Sequence, residues 1–119
     1  DGMKATQHYE VKLYMGSNTF FSDESFTQEE VEKFIGEAQD SYGFIIPVRM
    51  TPTTFISGAD YKENGWEIAA INYPKIKTTK EHIRAFMIDL AGLLLSHFNQ
   101  HTICVMDGET ITMLKGLKY

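Results

Sequence analysis

Apolar and polar positions alternate in one region of this chain and recur at helical spacing in two others. Between His8 and Met15, Tyr9, Val11, Leu13 and Met15 share one parity, while His8, Glu10, Lys12 and Tyr14 share the other. A period of two is that of a strand with one buried face. Gly16-Ser17-Asn18 ends it, and Thr19 to Ser25 is expected to be a loop carrying Phe20 and Phe21. Val31, Phe34, Ile35 and Ala38 then follow helical spacing, predicting a helix from Thr27 to Asp40. A second set, Ile83, Phe86, Met87, Leu90, Ala91, Leu94, Leu95 and Phe98, predicts a helix over Thr79 to Phe98. Ile88 and Leu93 flank this stripe and broaden the apolar face.

Both helix starts carry capping-box spacing, Thr27-x-x-Glu30 and Thr78-x-x-Glu81. In such a box the Thr hydroxyl accepts from the N–H three residues on, and the Glu reaches back. Phe26 and Val31 stand where a hydrophobic staple would. Between the helices, Phe44 to Ser57 is strand-like but holds Pro47 and Pro52, each lacking a ladder donor. It is therefore expected at a sheet edge, bent or broken in two. Ser57 to Gly65 reads as a turn region, with Asn64-Gly65 among its signals, and Trp66 to Tyr73 as the returning strand closed by Pro74. Asn99-Gln100 ends the second helix. Thr102 to Met106 and Thr110 to Leu114 form a hairpin about a two-residue Asp107-Gly108 turn.

The order β-α-β-β-α-β, with one extra C-terminal strand, resembles the ferredoxin-like α/β plait. The resemblance implies an α+β fold with two helices on one face of an antiparallel sheet, the other face open. A chain of 119 residues with 43% hydrophobic and 23% charged positions reads as one domain over 1–119. The ends, 1–7 and 115–119, are expected to be less ordered. Asp1-Gly2 reads either as an addition ahead of a natural start at Met3 or as an end left by processing at Asp1. No signal-peptide pattern opens the chain and no apolar run reaches membrane-spanning length. A single cysteine, Cys104, forbids an internal disulfide, and six methionines suit a reducing compartment, so the expected localisation is cytoplasmic.

A net charge of −5 argues against binding nucleic acid by phosphate neutralisation. Lys75, Lys77, Lys80 and Arg84 form a local basic patch, read as a solvated helix entrance. Asp23, Glu24, Glu29, Glu30 and Glu32 gather where a helix N-terminus favours negative charge. His97 and His101 have i,i+4 spacing, but Asn99-Gln100 interrupts them and no further ligand lies nearby, so no metal is expected. Cys104, between Ile103 and Val105, reads as a buried small hydrophobe. Neither a Gly-x-Ser-x-Gly elbow nor a phosphate-cradling glycine loop is present. The basic aromatic strand motif of RNA-recognition plaits and the arginine phosphate loop of acylphosphatase-like plaits are missing too.

What remains is the open sheet face. If Tyr9, Val11, Leu13 and Met15 face the helices, then His8, Glu10, Lys12 and Tyr14 face out. The return strand offers either Trp66, Ile68, Ala70 and Asn72 or Glu67, Ala69, Ile71 and Tyr73, and Arg49 can join them. The leading expectation is a non-catalytic, self-associating plait domain, a homodimer acting as a binding or accessory module. The alternative is a small enzyme needing no cofactor, with its substrate pocket on the open face of a dimer. There His8 or Glu10 is the candidate base, Tyr14 a hydrogen-bond donor, Arg49 an anion anchor and Trp66 a stacking surface. A protein partner or a small molecule fits either reading. A third is a phage or mobile-element accessory protein that meets another protein through its acidic surface.

Overall fold

The computed structural model describes residues 2–18, 24–43 and 45–116. Seven elements follow one another: β1 (Glu10–Gly16), α1 (Gln28–Asp40), β2 (Arg49–Ile56), β3 (Lys62–Ile71), α2 (Lys80–His97), β4 (Thr102–Met106) and β5 (Ile111–Lys115). The strands form one antiparallel sheet in the order β2-β3-β1-β4-β5. This is the expected α+β plait, with β5 added beyond β4.

Alternation along the strands builds the core. Val11, Leu13 and Met15 are essentially fully buried, beside Ile68 and Ala70 of β3 and Ile103 and Val105 of β4. Val31 and Ile35 of α1, and Ile83, Phe86, Met87, Leu90, Ala91 and Leu94 of α2, close the same cluster. Phe26 and Phe34 pack edge-on against Phe98 at the end of α2, while Tyr42, just past α1, packs edge-on against Phe86. The two helices therefore run antiparallel over one side of the sheet.

Helix boundaries follow local chemistry. Thr27 caps α1, accepting from the Glu30 N–H at 3.2 Å, as the first box requires. At α2 the cap is Thr79, accepting from the His82 N–H at 3.1 Å, so the expected box at Thr78 is displaced by one residue. The Thr78 hydroxyl is buried and makes no hydrogen bond. Helix α2 ends in a Schellman motif: Asn99 is left-handed (φ 50°), and the Gln100 and Asn99 N–H groups donate to Leu95 and Ser96.

Three sequence expectations change. Strand β2 is an edge strand, but it runs unbroken through Pro52 because an edge tolerates a missing donor. Asn64-Gly65 lies inside β3 and is no turn; the β2–β3 turn is at Ser57–Tyr61, where Gly58 has φ 92°. Gly65 answers to space, since a Cβ there would sit 2.2 Å from the Met15 carbonyl oxygen and 2.6 Å from the Phe55 ring. The β4–β5 connection holds four residues, 107–110, because Met106 pairs with Ile111 and Asp107 donates to Thr110. Phe20, Phe21 and Asp23 lie outside the described residues. Among those described, no helix is long and apolar enough to cross a membrane.

Candidate active site

Strand register decides what meets on the open face. Lys12 pairs with Ala69 on one side and Met106 on the other, and Arg49 pairs with Ala69 from β2. Arg49, Ala69, Lys12 and Met106 thus form one row across four strands. The rows on either side hold Glu10 opposite Ile71, and Tyr14 between Glu67 and Cys104. Ala69 is small and buried beneath the flanking long side chains, which lets charges from β2 and β1 meet above β3.

They form an alternating chain. The Arg49 guanidinium donates to Glu10 Oε2, Lys12 Nζ lies 3.6 Å from Glu10 Oε1, and the same Nζ lies 3.4 Å from Glu67 Oε1. Arg49, by its hydrogen bond, holds the Glu10 carboxyl below its ordinary value against the opposing effect of burial, and the Lys12 charge assists. The Glu67 hydrogen bond and then the Glu10 charge raise Lys12. Glu10 is thereby a fixed anion and a poor base.

Alongside this chain lies an open cleft of about 550 Å³, lined by His8, Tyr9, Glu10, Lys12 and Tyr14, by Lys80, and by Met106 of β4 with the turn residues 107–109. That volume is in the range of small-molecule sites. The turn is rigid for a stated reason. Asp107 Oδ1 accepts from the Thr110 and Glu109 N–H groups at 2.8 and 2.9 Å, its Oδ2 accepts from the Thr110 hydroxyl, and Arg84 Nε donates to that oxygen at 3.1 Å. The two backbone donors come first in holding Asp107 well below the carboxylate range. Burial, then the Asp107 charge, raises the Tyr9 phenol, and Lys80 Nζ sits 5.0 Å from the centre of that ring. Tyr14 packs edge-on against Phe55 with ring centres 5.9 Å apart.

Of the residues singled out in the sequence, His8, Glu10 and Tyr14 come together in this cleft. Arg49 does not line it but binds one of its walls. Trp66 is opposite Met15 and Pro52, 6% exposed and part of the core, so it shares no face with Tyr14 and offers no stacking surface there. Cys104 is half-buried on the open face, since its neighbours Ile103 and Val105 take the core positions. His97 stacks on Phe34 at 4.2 Å, and among the described residues no three His, Cys, Asp or Glu side chains are placed to hold a metal. Arg84 and Lys80 of the basic patch are engaged with Asp107 and Tyr9. The cleft's Asp107, Glu109, Met106 and Tyr9 were missed as site residues. Asp107-Gly108 was read only as a turn, and only the β1–β4 register brings it to Glu10.

The fold and the cleft define a small α+β plait with a charge-lined hollow on its open face. No family model and no curated protein matches the chain. Solved structures do share its fold. A phage SAM lyase in complex with S-methyl-5′-thioadenosine superposes with a TM-score of 0.74 at 15% identity, covering 100% of this chain and 99% of that one. A phage SAM lyase in the apo state gives 0.72 at 14% identity, covering 93% and 91%. The expectation of a non-catalytic binding module is thereby corrected: both of these solved structures are of an enzyme, which favours the alternative of a small enzyme with a pocket on the open sheet face.

Proposed function

We propose that this protein is a small lyase acting on a sulfonium nucleoside of the S-adenosylmethionine class, with the substrate held in the cleft beside Glu10. The observation that carries the reading is end-to-end agreement in fold with a SAM lyase, joined to a cleft of about 550 Å³ with an oriented carboxylate in its lining.

The chemistry fits these groups. Sulfonium sulfur in S-adenosylmethionine carries a methyl, a 5′-adenosyl and an aminocarboxypropyl group. S-Methyl-5′-thioadenosine keeps the first two, so the bond that breaks joins sulfur to the aminocarboxypropyl Cγ. Sulfur takes the electron pair and leaves as a neutral thioether, which needs no proton donor. The four-carbon fragment restores its balance in one of two ways. Its own carboxylate closes on Cγ, or a Cβ proton passes to a base while a double bond forms. Glu10, fixed as an anion, faces the sulfonium charge; His8 at the rim is the group available as a base for the second route. Tyr14 and Tyr9 offer aromatic faces to the cation and to adenine.

The test is incubation with S-adenosylmethionine, chromatography for S-methyl-5′-thioadenosine, and mass analysis of the four-carbon product. Thioadenosine formation above the spontaneous rate is expected, and the second product identifies the route. No release, together with no ligand-induced stabilisation by either nucleoside, ends this reading. The single cysteine and six methionines favour a reducing, cytoplasmic setting. Exposed Ile111 and Met113 on the same open face are read as covered by a second copy, and light scattering across a dilution series checks this.

A further inference from the structure

Arg49 invites reading as a substrate anchor, because it is an exposed cation next to a cleft. Its contacts point elsewhere. It belongs to the edge strand β2, two strands from Glu10, and reaches it over Ala69 and past Ile71. Its guanidinium is engaged by Glu10 Oε2, and its side chain is absent from the cleft's lining. Glu10 is the member of the pair that lines the cleft. Its second oxygen is left to Lys12 at 3.6 Å, a looser partner shared with Glu67. Arg49 thus provides the tighter hold on one carboxylate oxygen, while the other is held only loosely by Lys12.

We infer that Arg49 is a positioning residue: it fixes Glu10 as an oriented anion lining the cleft and does not itself meet substrate. The inference deepens the proposed function and rests on it for the meaning of Glu10 in the reaction, though not for the pairing. Planar guanidinium chemistry explains why an arginine serves here, since its fork constrains direction as well as charge. The other charged and titratable groups around Glu10 are Lys12, His8, Tyr9 and Tyr14 on its own segment, Glu67 from β3, Asp107 and Glu109 from the β4–β5 turn, and Lys80 from α2. Tyr73 also acts on Arg49 by charge. Lys12 alone is shared between two carboxylates, so removing Arg49 leaves Glu10 under-compensated.

Two readouts test this on the full chain in R49Q and R49K. The first is the Glu10 carboxyl titration, followed by carbon-13 NMR of the side chain. Parent Glu10 is expected below the ordinary glutamate range, R49Q nearer to that range, and R49K between them. The second is kcat/KM for S-adenosylmethionine cleavage against pH. Activity needs ionised Glu10, so it is lost as pH falls through the Glu10 pKa. The rise in R49Q moves that limb to higher pH, so activity on its acid side falls several-fold relative to the parent. Lysine restores part of it, and KM on the plateau stays near parental. An unmoved Glu10 titration in R49Q overturns the inference. So does a raised KM at every pH with an unchanged limb, the signature of direct substrate contact. If the parent releases no thioadenosine, the functional reading falls, while the NMR titration still decides whether Arg49 holds Glu10.

Discussion

The two faces of strand β1 divide the molecule. On one side Val11, Leu13 and Met15 are essentially inaccessible and sit against both helices; on the other, Glu10, Lys12 and Tyr14 are half-exposed and bound into the charge chain and cleft. Each apolar side chain buried on the first face contributes about 1.5–3 kcal/mol. The exposed ion pairs on the second contribute about 0–1 kcal/mol each. Consecutive residues of one strand therefore do different work: the odd positions hold the sheet in place, and the even ones use the fixed geometry. The sharpest way to break this division is to disturb each face separately.

Leu13→Ala should have the largest effect. It opens a cavity between β1 and the helices and is expected to cost about 3–5 kcal/mol, read as a lower urea midpoint at unchanged slope. Its neighbour Lys12, changed to Ala, should leave the urea midpoint close to the parent's. Comparable losses at both positions would mean that the charge chain is structural and the division false.

Glu10→Gln comes next, with the opposite signature. Stability should stay within about 1 kcal/mol of the parent, while S-adenosylmethionine cleavage falls about a hundredfold through loss of the anion facing the sulfonium. A fully active Glu10→Gln protein would move the chemistry to another part of the cleft. Gly65→Ala then probes where the open face is not tolerant. Its Cβ would drive into the Met15 carbonyl and the Phe55 ring, so a loss of about 1–3 kcal/mol is expected from forced strand separation. That figure comes from the same melts, and a neutral result would show that β1 and β3 part easily at this end.

The cleft's far wall gives a pH test. Asp107 is held below the ordinary carboxylate range in the folded chain by the Thr110 and Glu109 N–H groups first, with Arg84 also acting. A depressed folded pKa means the contribution is present above the unfolded value and is lost as pH falls toward the folded one. Acid destabilisation below about pH 4 should therefore be shallower in Asp107→Asn than in the parent, as read by melting temperature against pH. Equal slopes would remove Asp107 from the acid limb.

How far these features could be read from the residues depended on range. The alternation of β1 gave the outward set Glu10, Lys12 and Tyr14 directly, because a period of two needs no partner to be seen. The outward set of β3 could not be chosen, since both parities mix apolar and polar groups; the β1–β3 pairing decides it, sending Trp66 inward. Asp107 and Glu109 were out of reach for the same reason, because their approach to Glu10 depends on pairing between strands some 90 residues apart in sequence. Asn64-Gly65 misled because a glycine demanded by close backbone approach looks the same in sequence as one demanded by a turn.

The smallest effect separates two adjacent threonines that the sequence could not. Thr78-Thr79-Lys80-Glu81-His82 allows two cap registers. The Thr78 register completes a box with Glu81, whereas the Thr79 register places His82 third in the helix. The structure takes the second, leaving Thr79 with the His82 N–H and Thr78 with a buried hydroxyl that has no hydrogen-bond partner. A side-chain cap is worth about 1 kcal/mol, so Thr79→Ala should lower the melting temperature by a few degrees. Thr27→Ala, at the box that holds as written, should match it. Thr78→Val removes a buried hydroxyl at nearly constant shape, and its expected effect is neutral to stabilising by about 1 kcal/mol. Should Thr78→Val prove as costly as Thr79→Ala, α2 would begin at the box in solution. Lys80 would then turn away from Tyr9, and the rim of the cleft would have to be redrawn.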